Sequence, residues 1–194
     1  MEKILVIVES PSKIKKVTKI LNEIYKGKYD FIVLASYGHI RDLDSKKLSI
    51  DVEDNFKPIY VKGQNKDRVI SELKKASKES KEVWIATDGD REGEAIAFHI
   101  SELLKIKPPK RKRITFSEIT KTALKQACDS PTDINMNMFY AQQARRVLDR
   151  LIGYKISPIL WSQIQNSTKK KISLSAGRVQ SVVMKLLIER EKMI

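Results

Sequence analysis

Residues 88–94, Asp-Gly-Asp-Arg-Glu-Gly-Glu, contain four carboxylates within seven positions. Asp88 and Asp90 are two residues apart, so in an extended loop their side chains point the same way, and the glycine between them lets the backbone turn. A further carboxylate, Glu9, directly follows the apolar run at residues 4–8. Carboxylate oxygens are the ligands that Mg²⁺ prefers, and Mg²⁺ commonly shares such sites with phosphate groups. Together these acids predict a magnesium site.

The ordinary alternative is a solvated acidic loop before a helix, where carboxylates interact favourably with the positive end of the helix dipole. This alternative would be preferred for an isolated Asp-x-Asp, but Glu9 ends a separate buried strand, which favours the metal. A calcium-binding EF-hand is excluded because residues 92–94 break its twelve-residue loop pattern. A Walker-type ATPase is also excluded, because the sequence contains no Gly-x-x-x-x-Gly-Lys-Ser/Thr motif.

Strands and helices alternate along the chain up to about residue 125, and this order predicts where the acids lie in the fold. Short apolar runs predict buried strands at residues 3–8, 31–35, 83–86 and 113–116. Helices are predicted from Ser10-Pro11, over residues 65–77, and after the acidic loop to about residue 104. This alternation predicts an α/β fold with a parallel sheet covered by helices on both faces. In such sheets ligands bind at the carboxyl ends of the strands, where the acids are expected.

From about residue 126 onward the pattern indicates helices only. One helix is expected to end at Gly153, a second to start at Ser157-Pro158, and a third to be capped by Ser175. Their apolar stripes are Tyr140, Ala144, Val147, Leu148 and Leu151 in the first helix, and Val179, Val182, Val183, Leu186 and Leu187 in the last. We therefore expect domains at 1–125 and 126–194. The last helix has no stop signal, so the chain is expected to be part of a longer protein.

The chain is strongly basic, with 38 Lys and Arg against 24 Asp and Glu and a formal net charge of +14. This charge favours a polyanionic partner, with nucleic acid first and an anionic membrane second, although a basic proteome would give the same composition. The one cysteine, Cys128, has no partner for a disulfide, which favours a reducing compartment. No stretch is long enough for a signal peptide core or a membrane span, so a cytoplasmic protein is expected.

Five motifs in this sequence resemble those of type IA DNA topoisomerases, and they occur in that family's order. They are residues 8–13 (VESPSK), 36–42 (SYGHIRD), 88–96 (DGDREGEAI), 143–150 (QARRVLDR) and 175–181 (SAGRVQS). The acidic motif alone marks only the wider Toprim class, whereas the five together are specific. The resemblance implies a Rossmann-like Toprim domain, followed by the beginning of a helical DNA-binding domain.

The resemblance also implies roles for individual residues. Mg²⁺ would be bound mainly by Glu9, Asp88 and Asp90, with Glu92 completing the acidic site. Lys13 would lie at the scissile phosphate as a positive charge or proton donor, and Arg91 would hold a phosphate. The residues implied to contact DNA, preferably single-stranded, are His39, Arg145, Arg146, Asp149, Tyr154, Trp161, Ser175, Ala176, Gly177, Arg178, Val179 and Gln180.

An enzyme of this kind would relax negatively supercoiled DNA. A tyrosine attacks a phosphodiester of one strand and keeps the 5′ end as a phosphotyrosine, the other strand passes, and the break is resealed without ATP. In the family, Arg and Thr closely follow this tyrosine, and none of the six tyrosines here has that setting. By itself the chain is therefore expected to be inactive, to bind Mg²⁺ and DNA, and to be a monomer associated with the nucleoid.

Other interpretations stay open at this point. A primase or nuclease would share the acidic Toprim motif but not the motifs at 143–150 and 175–181, and a non-catalytic DNA-binding module would describe the chain acting alone. Arg145 and Asp149 could form an ordinary surface ion pair, and Trp161 could belong to a core. Residues 166–171 could be a lineage-specific insertion. The motifs do not separate topoisomerase I from topoisomerase III or reverse gyrase.

Overall fold

The computed structural model describes residues 1–164 and 174–194, so the loop expected at residues 166–171 lies outside the described residues. The strands are β1 (Glu2–Val8), β2 (Tyr29–Ala35), β3 (Arg41–Leu43), β4 (Ile50–Asp51), β5 (Lys57–Pro58), β6 (Tyr60–Lys62), β7 (Glu82–Ala86) and β8 (Arg111–Arg113). The helices are α1 (Ile14–Tyr25), α2 (Asp67–Glu79), α3 (Arg91–Leu104), α4 (Lys121–Asp129), α5 (Met136–Ile164) and α6 (Arg178–Glu191). One 3₁₀ turn, Pro11–Lys13, leads into α1.

A four-stranded parallel sheet in the order β2-β1-β7-β8 forms the centre of the fold. Its register determines where the loops leave the sheet. Val8, the last residue of β1, is paired with Ala35 of β2 on one side and with Ala86 of β7 on the other. Three strands therefore end at the same level. The predicted α/β fold with a parallel sheet is confirmed, and the segments after these strands emerge at one edge.

Both faces of the sheet are covered, because successive side chains of a strand point to opposite faces. Ile4, Val6 and Val8 pack in one cluster together with residues of α1 and α4. Leu5 and Ile7 pack in the other cluster together with residues of α2 and α3. Burial of a side chain of this size stabilises the fold by roughly 1.5 to 3 kcal/mol. The β1 strand therefore belongs to both cores at once, which makes it a rigid support for the residue that follows it.

Cys128, near the end of α4, packs against the first of these clusters beside Tyr25. Burial raises the pKa of the Cys128 thiol to about 11. Burial is also the main cause that raises the pKa of Tyr25. A thiol with such a pKa is protonated at neutral pH, and the thiolate is the reactive form. Cys128 is therefore a partly buried packing residue rather than a reactive one.

Helix α5 is a single helix of 29 residues, where two helices were expected. Gly153 does not end it, because Gly153 is not among the residues with a positive φ, the usual conformation of a C-terminal glycine. Pro158 lies inside the helix, although its ring removes the hydrogen bond that an N–H would donate to the carbonyl of Tyr154. The predicted break at Gly153 and the predicted start at Ser157 are therefore wrong.

Two other predicted boundaries also differ from the structure. The N-cap of α6 is Gly177 rather than Ser175, whose hydroxyl lies 3.3 Å from the side-chain oxygen of Gln180. The last strand of the sheet covers Arg111–Arg113 rather than residues 113–116, because its pairing with β7 runs from Val83 to Ile85. The apolar stripes are also less buried than expected. Val147 is the buried member of the α5 stripe, and all five members of the α6 stripe are exposed.

The chain forms two compact units. The first comprises Met1–Asp42 and Tyr60–Gln142, and the second comprises Leu43–Ile59 and Gln143–Ile194. This division differs from a boundary at residue 125, because the first part of α5 belongs with the sheet. The division into domains 1–125 and 126–194 concerns evolutionary domains and stays a prediction. Among the described residues, no helix combines the length and the apolar character needed to cross a membrane.

Candidate functional site

An acidic site lies at the edge of the sheet where β1, β2 and β7 end. Glu9 follows β1, Asp88 follows β7 after one intervening residue, and residues 36–39 follow β2. Residues 36–39 are hydrogen-bonded to the end of β1. The Ser36 N–H donates to the carbonyl of Val8 (2.9 Å), and the Gly38 N–H donates to the carbonyl of Glu9 (3.2 Å). The parallel register therefore brings three sequence motifs together.

The acidic loop turns tightly into α3. Asp90 is the N-cap residue, and its carboxylate accepts a hydrogen bond of 2.8 Å from the Gly93 N–H. The Thr87 hydroxyl donates to the Gly93 carbonyl at 2.7 Å. A Cβ atom at position 93 would lie 2.0 Å from the carbonyl oxygen of Asp88, so only glycine fits there. The second glycine of the motif is therefore explained by close packing of α3 against the loop.

A buried ion pair supports this loop from inside the fold. Arg113 is 1% exposed and Glu94 is 3% exposed. The Arg113 guanidinium donates to Glu94 Oε1 (2.9 Å) and to the carbonyl oxygens of Thr87 (2.8 Å) and Asp88 (2.7 Å). Glu94 Oε2 accepts a hydrogen bond of 2.9 Å from the backbone N–H of Asn135. The backbone of the acidic loop is thus held by a side chain that the sequence analysis did not single out.

The acidic site contains both negative carboxylates and a positive ammonium group, and these charges shift the pKa of Glu9 in opposite directions. The Lys13 ammonium group donates a hydrogen bond to Asp88 Oδ1. Burial raises the pKa of Glu9, and the neighbouring Asp88 and Asp90 carboxylates raise it further, while Lys13 lowers it. The three carboxylates therefore repel one another, and Lys13 compensates part of their charge.

The predicted residues Glu92 and His39 also lie together. Glu92 Oε2 is 2.9 Å from His39 Nε2 and accepts a hydrogen bond of 3.1 Å from the amide of Gln142. Gln142 is only 6% exposed, and no motif in the sequence analysis included it. Arg91 is exposed and makes no ion pair with any residue in the described ranges. Its guanidinium group is therefore accessible to an anion.

The second unit contains a cleft of about 540 Å³ along α5. The residues that line it are Arg146, Asp149, Arg150, Gly153, Tyr154, Ser157, Pro158 and Trp161. Four of them, Arg146, Asp149, Tyr154 and Trp161, were predicted to contact DNA. The structure thus brings these four together in one concave surface that combines positive charge with aromatic rings.

Asp149 organises the arginines around this cleft. It accepts a hydrogen bond of 2.6 Å from Arg178 Nε and lies 4.0 Å from Arg145 Nε. The hydrogen bond from Arg178 lowers the pKa of Asp149. The predicted pair between Arg145 and Asp149 is present, but Arg178 is the closer partner. The predicted contact of Arg178 with a phosphate stays a prediction, and in this arrangement Arg178 also binds Asp149.

Other contacts hold residues 174–178 against α5. The Ala176 N–H donates to the Ser157 hydroxyl oxygen (2.9 Å), and Trp161 Nε1 donates to the carbonyl of Leu174 (2.6 Å). Val179 and Gln180 are exposed at the start of α6. Ser157 was not predicted as part of this region, because its signal was read as a helix start.

Tyr154 and Arg150 bind the loop at residues 44–47 within the same unit. Tyr154 donates from its hydroxyl to the carbonyl of Ser45 at 3.1 Å. Arg150 donates to the carbonyls of Asp44 (2.8 Å) and Lys47 (3.0 Å), and its guanidinium carbon lies 5.3 Å from the centroid of the Tyr154 ring. The aromatic wall of the cleft is therefore fixed in position before any ligand binds.

Comparison with known proteins identifies the family of this chain. A family model described as the Toprim domain matches residues 4–119, and one described as DNA topoisomerase matches residues 133–194. The chain belongs to the Toprim-containing DNA topoisomerases. Among solved structures, it is similar to full-length topoisomerase I from Thermotoga maritima, with 41% identity and a TM-score of 0.80. The similarity covers 97% of this chain and 30% of that chain, so the topoisomerase chain described here spans less than a third of its neighbour. The predicted membership of the topoisomerase family is confirmed.

Toprim domains bind a divalent metal, and the donors at the acidic site of this topoisomerase chain are all oxygens, as a hard cation requires. In the part of the chain that the structure describes, however, no three His, Cys, Asp or Glu side chains are grouped closely enough to hold a metal ion. Asp88 is bound instead by Lys13, and Asp90 by the backbone of Gly93. The chemistry of the donors therefore fits a divalent cation, and two of the three donors have protein partners in this arrangement.

Replacing Glu9 with Gln is expected to raise the melting temperature at neutral pH without metal. Because the folded-state pKa of Glu9 is raised, the ionised carboxylate costs stability above that pKa, and the cost disappears as the pH falls through it. The gain from Glu9→Gln should therefore be larger at about pH 7 than at about pH 4 when thermal unfolding is followed by circular dichroism. Glu191→Gln, at an exposed position on α6, is the control and should change little. A lower melting temperature of Glu9→Gln at neutral pH would contradict this account.

Proposed function

We propose that this chain is part of a type IA DNA topoisomerase and that it holds a single DNA strand and a Mg²⁺-dependent acidic site. The observation that carries the proposal is the convergence of Glu9, Asp88 and Lys13 at one edge of a Toprim sheet. The arginine-lined and aromatic cleft of the second unit supports the DNA-binding part of the proposal.

At the acidic site, Mg²⁺ would be held by Glu9, Asp88 and Asp90. When bound, the ion supplies positive charge that neutralises a phosphodiester. Lys13 carries a second positive charge at the same place, where its ammonium group can stabilise a negatively charged phosphate oxygen or give a proton to a leaving oxygen. Arg91, exposed in the first turn of α3, binds a neighbouring phosphate.

Glu92 and His39 act as a pair at this site. Glu92 accepts the hydrogen bond from Gln142, which fixes its side chain, and it holds the His39 ring. His39 thereby presents its ring to the DNA in one orientation. This pair supports a role in positioning DNA, because Glu92 Oε2 contacts both the His39 ring and the Gln142 amide.

In the whole protein, a tyrosine outside this chain would cut one strand and hold the 5′ end as a phosphotyrosine. Strand passage and resealing would then relax negatively supercoiled DNA without ATP. The chain alone is expected neither to cut nor to relax DNA, because none of its six tyrosines is followed by the Arg and Thr of the family motif. A primase or nuclease function has less support, because residues 133–194 match the DNA topoisomerase family rather than the Toprim class alone.

The DNA-binding part of the proposal is tested by replacing Arg145 and Arg146 together with Ala. Each phosphate contact releases counterions, so the logarithm of the affinity should fall with the logarithm of the salt concentration by about 0.7 per contact on single strands. The double variant should bind every single-stranded sequence more weakly and flatten this slope by about one unit. Fluorescence anisotropy with a short labelled oligonucleotide at several salt concentrations measures both quantities.

The matched control is Lys74→Ala/Lys75→Ala, which removes the same charge from exposed positions on α2. If the two double variants change affinity and slope equally, the effect comes from net charge, and the proposed cleft is wrong. If neither variant changes the slope, α5 does not contact the phosphates. Melting temperatures of both variants should stay close to that of the wild type, since exposed ion pairs contribute about 1 kcal/mol or less.

A further inference from the structure

Tyr37 is an exposed aromatic residue at the edge of the acidic site. Its side chain is 55% exposed, and its backbone adopts a φ of 56°. The left-handed region is unfavourable for a bulky residue, because the Cβ atom comes too close to the following carbonyl oxygen. Its neighbours Ser36 and Gly38 are both hydrogen-bonded to β1 and the residue after it, so the position of Tyr37 is fixed. An exposed ring on a strained backbone gains little from burial, so folding alone does not explain this residue.

Lys66 holds the Tyr37 loop in place. Its ammonium group donates to the carbonyl oxygens of Tyr37 (2.5 Å) and Ser36 (3.3 Å) and lies 5.9 Å from the centroid of the Tyr37 ring. Lys66 is half-buried, and this burial lowers the pKa of its amine. The ring of Tyr37 is therefore held in advance, which reduces the entropy lost when a ligand stacks on it.

A cleft of about 500 Å³ opens beside the ring. It is lined by Tyr37, Gln64, Asn65, Lys66, Arg68, Val69 and Glu72, and Arg68 Nε donates to Glu72 Oε1 at 3.0 Å. An aromatic wall offers a stacking surface, the Asn65 amide offers hydrogen bonds to the edge of a planar ring, and the Lys66 ammonium group attracts a phosphate. This combination fits a nucleotide with an unpaired base better than it fits an apolar peptide or a lipid.

We propose that Tyr37 stacks on an unpaired nucleobase of the DNA strand bound at the acidic site. The inference rests on the proposed function and adds a base-binding position next to the phosphate-binding one. The carbonyl of Glu9 accepts a hydrogen bond from the N–H of Gly38, the residue after Tyr37. The base at Tyr37 and the phosphate at the acidic site would therefore lie close to each other on the bound DNA strand. Every base has a flat aromatic face, so the position should accept all four bases with little preference.

The test compares a normal oligonucleotide with a fully abasic one of the same length, which keeps the phosphates and has no bases to stack. Tyr37→Leu should weaken binding of the normal oligonucleotide about five-fold or more, as expected for loss of one base–aromatic contact, and should leave binding of the abasic one unchanged. Tyr37→Phe keeps the ring and should bind both as the wild type does. The dependence of affinity on salt should be the same for all three proteins, because stacking releases no counterions.

Tyr37→Asn provides a check on folding. Asn tolerates the left-handed region better than Tyr, so this variant should melt no lower than the wild type and still lose the five-fold affinity. If Tyr37→Leu and Tyr37→Asn bind the normal oligonucleotide as tightly as the wild type, the stacking proposal is overturned. Equal losses on the normal and the abasic oligonucleotide would overturn it as well, because they would indicate a change in the loop or in charge. If the wild-type chain bound neither oligonucleotide, the proposed DNA-binding function itself would be wrong. The Arg145→Ala/Arg146→Ala measurement tests that function independently of Tyr37.

Discussion

Arg113→Met is expected to lower the free energy of unfolding by about 3 to 5 kcal/mol, the usual effect of removing one partner of a buried ion pair. The substitution leaves the buried Glu94 carboxylate without its cation. It also removes the donors to the carbonyl oxygens of Thr87 and Asp88, which lie at the base of the acidic loop. Urea denaturation followed by circular dichroism measures the loss. A loss below about 1 kcal/mol would show that the pair contributes no more than a surface contact.

Two further variants separate charge from hydrogen bonding at this position. Arg113→Lys keeps the positive charge, but its three donors lie on one nitrogen and cannot reach all the partners that Nε, Nη1 and Nη2 of the guanidinium reach, so it should recover only a minor part of the loss. The double variant Arg113→Met/Glu94→Gln removes the unpaired charge and should be more stable than the single Met variant, although the loop carbonyls still lack their donors. Lys125→Met, in an exposed pair with Asp129, is the control and should cost about 1 kcal/mol or less.

The double variant Asp88→Asn/Asp90→Asn is expected to bind Mn²⁺, a probe for Mg²⁺, with an affinity about ten-fold or more below that of the wild type. The reason is that an amide oxygen is neutral. The carboxylates of the site repel one another, and a divalent cation bound between them relieves this repulsion. Folding should be preserved, because Asn caps a helix as well as Asp does and position 90 is the N-cap of α3. Water proton relaxation in a Mn²⁺ titration measures the affinity.

Glu118→Gln is the matched control for this experiment. Glu118 lines the same cleft of about 820 Å³ as Asp88 and Asp90, but it is not among the groups that shift the Glu9 pKa. It should bind Mn²⁺ as the wild type does. Equal affinity of the wild type and of Asp88→Asn/Asp90→Asn would mean that the metal lies elsewhere, and an equal loss in Glu118→Gln would indicate a general effect of negative charge.

The location of the acidic site could be predicted because it depends on two local signals. An apolar run predicts a buried strand, and an acid within two residues of the end of the run lies at the strand's carboxyl end. Glu9 and Asp88 satisfy both conditions, and the parallel register then brings them to one edge. His39 could be placed only through the resemblance to a family, since a histidine beside a glycine is otherwise a common turn residue.

The supports of the site could not be predicted, because they depend on contacts between distant parts of the chain. Arg113 was predicted only as the first residue of a strand, and Glu94 resembles an ordinary acid in the first turn of a helix. Their pairing depends on the register between β7 and β8. Gln142 likewise reaches Glu92 from a separate helix. In α5, the stop signal at Gly153 and the start signal at Ser157-Pro158 are weaker than the combined helical pattern on both sides of them.

The half-buried thiol of Cys128 makes the chain well suited to site-specific labelling. With a pKa of about 11, this thiol reacts slowly with maleimides or iodoacetamides at neutral pH, because very little of it is thiolate. Since it is the one cysteine in the sequence, no other native side chain competes for such reagents. A cysteine introduced at an exposed position such as Lys155→Cys would therefore be labelled first, without removing Cys128 from the core. A fluorophore or spin label placed in this way would report on the α5 cleft while the packing around Tyr25 stays native.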